Sequence, residues 1–223
     1  VHKYAYTSSW GVSTRLIGAI IMVHGDQRGL ALPPAVAPVQ AIIVPIAAKK
    51  EGVLEAVAAL KAELLAAGIR AESDLTDNSP GWKFNEWEMK GVPLRIELGP
   101  RDIEAGKMTV VRRDNFEKSE VSRENAADTV KKLLADIQTG MYEKAKRRKE
   151  ERVVGADSVE ELLRGVEGGN FVKAGWCGCR ECEEKIKEQT AASARVIVED
   201  ETAETCVCCG KKAKHVVLFA RAY

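Results

Sequence analysis

All six cysteines of this 223-residue chain lie between Cys177 and Cys209, in two tight clusters, WCGCREC and CVCCG. A disulfide framework would spread its cysteines through a secreted chain. Two close clusters joined by a short stretch instead have the spacing of two knuckles closing on one tetrahedral metal. Four thiolates suit zinc, and a site with four protein ligands has no open position, so a structural zinc is expected. Six candidates compete for four places. Cys206 and Cys209 are favoured, because Cys-x-x-Cys-Gly lets a glycine turn aim backbone N–H groups at the sulfurs. Cys177 and Cys182 are the expected partners, with Cys179 able to replace either. The competing readings are free buried thiols and a redox dithiol. The dithiol is disfavoured because no strand-then-helix pattern places a Cys-x-x-Cys at a helix start.

The chain is long enough for one or two domains with a sizeable core. It is 45% hydrophobic and 30% charged, which argues against wholesale disorder. Its 34 basic and 33 acidic residues leave a net charge of +1, which excludes a polycation gripping nucleic acid by bulk charge. The longest apolar run, Leu16 to Val23, is short and contains Gly18; the next, Leu30 to Val39, is broken by Pro33, Pro34 and Pro38. Neither can cross a bilayer, and no secretion signal precedes them. A start at Val1, inside an aromatic and polar stretch, is expected to be a cut end.

Hydrophobic periodicity predicts an α/β chain. Val39 to Ile46 reads as a buried strand, Val53 to Ala67 as a helix with Val53, Leu54, Val57, Leu60, Leu64 and Leu65 on one stripe, and Ile69 to Glu72 as the next strand. Gly68 sits where a left-handed helix cap is wanted. Such a unit favours parallel pairing. Trp82 to Lys90 reads as a short helix, Pro93 to Leu98 and Lys107 to Arg113 as strands, and Gly99 to Asp102 as the turn between them. A helix is expected from Arg123 to about Arg148, capped by Ser122, with Val130, Leu133, Leu134, Ile137 and Met141 on its apolar face. Its end carries Lys144, Lys146, Arg147, Arg148, Lys149 and Arg152 against Glu143, Glu150 and Glu151, a solvated linker face or a phosphate-contacting stripe. Beyond it, Asp157 caps a short helix through Val166, and strands at 170–176, 194–198 and 215–221 surround the cysteines.

The opening, YTSSWGVSTRLIGAIIMVHGDQRGLALPP, is more particular than a generic core. A strand through Trp10, Gly11 and Val12 would deliver Ser13, Thr14 and Arg15 to a helix starting near Leu16. An arginine there can meet phosphate oxygens with its fixed fork, although the commoner role is a structural ion pair.

The motifs WGVSTR, HGDQRGLALPP, VPI, SPGWKFNEWEMKGVPLRIELGPRD, the cysteine pairs and LFARAY, in that order, resemble the prolyl-tRNA synthetases of the archaeal and eukaryotic type, a class II aminoacyl-tRNA synthetase family. The resemblance covers the whole chain. It implies three parts: the end of a catalytic domain over 1–38, a mixed-sheet α/β anticodon-binding domain over 39–145, and a small zinc-containing α/β domain over 153–223. It implies that Arg15 holds the ATP phosphates as the third class II motif's arginine, with Ser13 beside the nucleotide and Ser9 and Gly11 on the floor of the proline pocket. Glu88, Arg95 and Asp102 are the expected contacts to anticodon guanines. Arg donates two bonds to a guanine O6/N7 edge, and carboxylates accept from its N1–H and N2–H. Trp82, Phe84 and Trp87 are candidates either for base stacking or for the core. Tyr223 matches a terminal tyrosine whose carboxylate reaches toward the active site, with Arg221 holding it. In some relatives the second cysteine pair is one residue closer, which would select Cys206 and Cys208.

The expected activity is ATP-dependent ligation of L-proline to its tRNA through prolyl-adenylate, with magnesium on the phosphates. The partners implied are the tRNA, L-proline, ATP and a second copy joined through a catalytic region upstream. The first two class II motifs are absent from the sequence, so this segment alone is not expected to activate proline. The alternatives are a non-catalytic RNA-binding module with a structural zinc, and a metal-sensing or redox module. Clustered free thiols without a signal point to a reducing cytoplasm.

Overall fold

The computed structural model describes residues 4–222, so the expectation at Tyr223 lies outside the described residues. The chain divides into two units, Val1–Ala145 and Lys146–Tyr223.

In the first unit, residues 4–12 carry no regular structure and are exposed. The strand expected at Trp10 to Val12 does not form: a strand needs a neighbour for its N–H and C=O groups, and no described strand lies beside it. Helix α1 follows, Arg15–His24, with no buried residue. Strand β1 is Ala41–Pro45, α2 is Val53–Ala66, β2 is Ala71–Ser73 and α3 is Pro80–Met89. Strand β3 is Leu94–Leu98, α4 is Pro100–Glu104, β4 is Lys107–Arg112, β5 is Lys118–Ser122 and α5 is Ala126–Glu151. The sheet order is β2-β1-β3-β4-β5. β1 pairs parallel with β2 and β3, and β3-β4 and β4-β5 are antiparallel, so the expected mixed-sheet α/β class is the one observed.

The sheet is covered on one face by α2 and α5. Val57, Leu60, Leu64, Val130 and Ile137 meet Ile43, Leu94, Ile96 and Leu98 there, all nearly or fully buried. Each such side chain is worth about 1.5–3 kcal/mol. On the other face α3 lays Phe84 and Trp87 over Ile42, Val44 and Val92. β1 is therefore covered on both sides, which is why its sequence reads as an unbroken apolar run. Period two then puts Arg95 and Glu97 of β3, Thr109 and Val111 of β4, and Lys118 and Glu120 of β5 in register on the α3 face.

Several local expectations are corrected. The apolar stripe of α2 is narrower than expected, for Leu54 and Leu65 are about half exposed. Gly99 to Asp102 is a helix start rather than a plain turn: Gly99 N–H donates to Asp102 Oδ2 at 2.9 Å, capping α4. β5 occupies residues that alternate with few apolar side chains, and it displaces the start of α5 to Ala126. Ser122 accordingly ends a strand, and its Oγ accepts from Glu124 N–H.

The segment between α1 and β1 packs on this unit. Leu30 N–H donates to Met89 O and Leu32 N–H to Gly91 O, both at 3.0 Å. The approach needs glycine at Gly29: φ is +123° and an added Cβ would lie 2.6 Å from Met89 O. Arg70 then ties the proline-rich stretch down, donating to the carbonyls of Pro34, Ala35 and Ala37.

In the second unit β6 is Val153–Gly155, α6 is Val159–Glu167, β7 is Phe171–Trp176, α7 is Arg180–Thr190, β8 is Ala192–Val198 and β9 is His215–Arg221. The sheet order is β6-β7-β9-β8, with Leu162, Val172, Ile186, Val217 and Phe219 in its core. Ser158, not Asp157, caps α6, because its Oγ accepts from Glu161 N–H. Helix α7 had no expectation at all: RECEEKIKEQT buries only Cys182, Ile186 and Thr190. A strand-then-helix pattern is therefore present around the first cysteine cluster. β7 ends at Trp176, and Cys179 sits at the N-cap of α7 with Cys182 in its first turn.

Candidate nucleic-acid interface and candidate metal centre

On the α3 face, Glu88 and Arg95 line one cavity. It is small, with a volume of about 10 Å³, room for a single water, and Ile42, Val92, Val111, Arg113 and Phe116 also line it. β3 presents Arg95 because its neighbours Leu94 and Ile96 face the core. The guanidinium of Arg95 lies on the Phe84 ring, 4.0 Å from the centroid, and donates to Glu97 Oε1 from Nε and Nη2 at 3.2 and 3.0 Å. Glu97 also accepts from Lys118 Nζ at 2.9 Å, so the buried carboxylate is paired on both sides.

Asp102 does not line this cavity. It sits on α4, where Oδ2 caps Gly99 and Oδ1 lies 3.5 Å from Thr109 Oγ1.

The three aromatic candidates divide. Phe84 is the platform for Arg95. Trp87 belongs to the core, its Nε1–H donating to Asp74 Oδ2 at 2.7 Å. Burial pushes the Asp74 carboxyl up, but donors from Thr76 and Trp87 outweigh it and hold the group below the usual carboxylate range. Trp82 is half exposed and free to meet a ligand from solvent.

A second group of side chains, absent from the sequence-based candidates, frames Glu88. Arg113 is buried and makes a two-pronged pair with Asp26, 2.7 Å to each oxygen, while its Nε donates to Glu88 O at 2.9 Å. Arg28 Nη1 donates to Glu88 Oε1 at 3.2 Å, and its guanidinium lies 4.3 Å from the Phe116 centroid. Phe116 adopts φ +61°, unusual for a bulky residue. The bonds from Arg113 hold the Asp26 carboxyl at about 2, against partial burial. A lowered carboxyl favours the folded state above its unfolded value of 3.8 and loses that contribution as pH falls toward 2. The pair is accordingly expected to dock residues 25–32 at neutral pH and to release them in acid. Asp26→Asn should speed hydrogen exchange of the Leu30 and Leu32 amides at pH 7; unchanged protection would contradict that role.

Arg15 opens α1, and its N–H lies 3.4 Å from Ser13 Oγ. Ser9, Gly11, Ser13 and Arg15 are all exposed, and an added Cβ at Gly11 would meet nothing within 4 Å. The described chain therefore does not enclose a pocket around them.

In the second unit the sulfurs of Cys177, Cys182, Cys206 and Cys209 lie within 4.8 Å of one another. Cys177 follows β7, Cys182 rides on α7, and Cys206 and Cys209 flank a turn closed by Gly210 N–H on Cys206 O at 2.9 Å. Val207 N–H donates to Gly175 O, which anchors this turn to β7. The closeness demands Gly175, where an added Cβ would lie 2.2 Å from Thr205 O. Cys177 and Cys209 Sγ are 3.9 Å apart, close to the edge of a tetrahedron built from Zn–S bonds of about 2.3 Å. Burial pushes the Cys206 thiol up, but the main-chain N–H groups of Cys209 and Cys208 outweigh it and hold the thiol at about 7. Burial raises Cys182 strongly. A thiol poised for deprotonation among three others within reach fits a zinc donor set. Cys179 Sγ lies 3.2 Å from Cys177 Sγ but outside the group of four, as does Cys208. Arg221 donates to Thr190 O and lies 3.8 Å from Glu167.

The first unit's mixed sheet has the fold of an anticodon-binding domain: residues 40–133 match the family described as anticodon binding domain. Residues 159–223 match the family described as prolyl-tRNA synthetase, C-terminal. The chain belongs to the prolyl-tRNA synthetases, of which it represents the C-terminal region. It is 52% identical over 99% of its length to a proline–tRNA ligase of Acetoanaerobium sticklandii, and 48% identical over 99% to that of Oceanobacillus iheyensis. It spans 47% and 46% of those proteins, about half their length. It also resembles the crystal structure of prolyl-tRNA synthetase from Cryptosporidium parvum complexed with L-proline and AMP. That likeness has a TM-score of 0.90 and 40% identity, and it covers 94% of this chain and 46% of that one. Among the described residues, no helix is long and apolar enough to cross a membrane.

Proposed function

We propose that this chain is the RNA-selecting half of a cytoplasmic enzyme that ligates L-proline to its tRNA, using ATP and passing through prolyl-adenylate. The observation that carries this reading is the meeting of Glu88 and Arg95 on the α3 face, inside a chain about half identical to proline–tRNA ligases across its whole length. The two side chains offer what the edge of a guanine needs: a cationic fork for O6 and N7, and a carboxylate for N1–H and N2–H. Asp102 lies apart, on α4, and reads a second guanine.

Arg15 opens α1 and takes the ATP phosphates, where its fixed charge, together with magnesium, stabilises negative charge as the proline carboxylate attacks the α-phosphate. Ser13 lies beside the nucleotide, and Ser9 and Gly11 form part of the proline pocket. The relatives' other half supplies the walls that these exposed residues lack, and covers α1. It also supplies the surface through which two copies pair. Zinc held by Cys177, Cys182, Cys206 and Cys209 is structural, because four protein thiolates leave no position for substrate.

Arg95→Ala is expected to weaken binding of the proline tRNA by about 1–3 kcal/mol, measured by titration. A tRNA lacking the anticodon guanines should show no further loss. An equal loss for both tRNAs would contradict base reading by Arg95.

A further inference from the structure

We propose that Arg28 is a positioning residue for anticodon reading: it aims the carboxylate of Glu88 at the guanine. This rests on the reading of Glu88 given above. A carboxylate that recognises guanine must point both oxygens at the N1–H and N2–H edge. Glu88 lies in the last turn of α3 with its side chain 19% exposed, and the rotation of its terminal carboxylate is broad unless a partner fixes it. Arg28 removes that freedom. Its Nη1 donates to Glu88 Oε1 at 3.2 Å, which leaves Oε2 and the second lone pair of Oε1 for the base. Its own guanidinium lies over the Phe116 ring, 4.3 Å from the centroid.

The backbone beneath is fixed as well. Glu88 O accepts from Arg113 Nε, and Arg113 is locked in its two-pronged pair with Asp26, two residues before Arg28. Arg28 therefore grips the Glu88 side chain directly, while Asp26, from the same segment, steadies the Glu88 main chain only through Arg113. Such a pair contributes little to stability, since the Arg28 side chain is 61% exposed. Its effect is on geometry, where a small misplacement of a hydrogen-bonding group is costly. Phe116 also lines the cavity that Glu88 and Arg95 share, so the clamp stands at the edge of the base site.

The test is titration of the chain with RNA hairpins carrying the proline anticodon, and with hairpins in which each anticodon guanine in turn is adenine. Glu88→Ala should abolish the preference for guanine at one of these positions, a preference of about 5- to 150-fold. Arg28→Ala should cut the preference at that same position to below about a third of its wild-type value, leave the other position unchanged and leave the melting temperature near wild type. Arg28→Lys, which keeps the charge but loses the fork and the stacking, should fall between. The double variant Arg28→Ala/Glu88→Ala should discriminate no worse than Glu88→Ala alone. If Glu88→Ala loses the preference and Arg28→Ala keeps it, the positioning role is overturned and base reading by Glu88 stands. If Arg28→Ala weakens all hairpins equally, Arg28 is a general phosphate or folding contact and the proposal fails. If Glu88→Ala itself retains full preference, the reading of Glu88 is the part that fails.

Discussion

Replacing Cys206 with serine is expected to remove zinc from the chain and to unfold the second unit. Metal analysis of the unaltered chain should find one zinc per polypeptide, and the variant none. Four thiolates closing on one ion would tie β7, α7 and the 206–209 turn together, three pieces that otherwise share only a small core. A structural zinc of this kind contributes folding free energy outright, so its loss should cost more than about 4 kcal/mol. Chelation should have the same effect, and added zinc should reverse it. Cys179→Ser and Cys208→Ser supply the contrast. Both thiols lie outside the group of four, so both variants should keep the metal and melt close to the unaltered chain. Retention of a full zinc and an unchanged melting transition by Cys206→Ser would contradict the assignment. A chain that instead cycles between dithiol and disulfide without metal would favour a redox role, which the placement of Cys179 at the start of α7 makes structurally open.

The second large effect is expected at Arg15. In the complete enzyme, Arg15→Ala should slow proline-dependent pyrophosphate exchange by about 10²–10³-fold, the scale on which one preorganised charge contact to a transition state acts. Binding of the tRNA should be unchanged, because Arg15 opens α1 and lies on neither α3 nor the sheet that carries Arg95. A wild-type exchange rate in the variant would remove the catalytic role.

What the sequence discloses follows from where its physical signals are local. β1 and α2 are legible because a helix or strand buried by its neighbours writes its own apolar period. β5 is not, for it is an edge strand whose burial alternates weakly, and Ser122 and Glu124 mimic a helix start. α7 is hidden for a related reason: Ile186 and Cys182 are nearly its whole apolar face, too little to show a helical period. The cysteine spacing points to the four sulfurs that converge, because a Cys-x-x-Cys turn is a local device. The framing of Glu88 is different. Arg28 lies 60 residues from Glu88 in sequence, and Asp26 lies 87 from Arg113. No pattern along the chain marks such partners; the one local hint is Gly29, whose backbone the close approach to Met89 requires. Asp102, placed with Glu88 and Arg95 on motif grounds, is held to α4 by its own capping bond.

Glu88 and Arg95 together are expected to select an RNA by its bases. The most direct measurement of this selection is the affinity of this chain for the proline-anticodon hairpin, set against the same hairpin with its guanines changed to adenine, at one fixed salt concentration. Tighter binding of the guanine form, by about 1–3 kcal/mol per recognised base and erased by Arg95→Ala, is the predicted result. Equal affinity for the two hairpins, both falling together as salt is raised, would mean that the chain holds only phosphate and would contradict it.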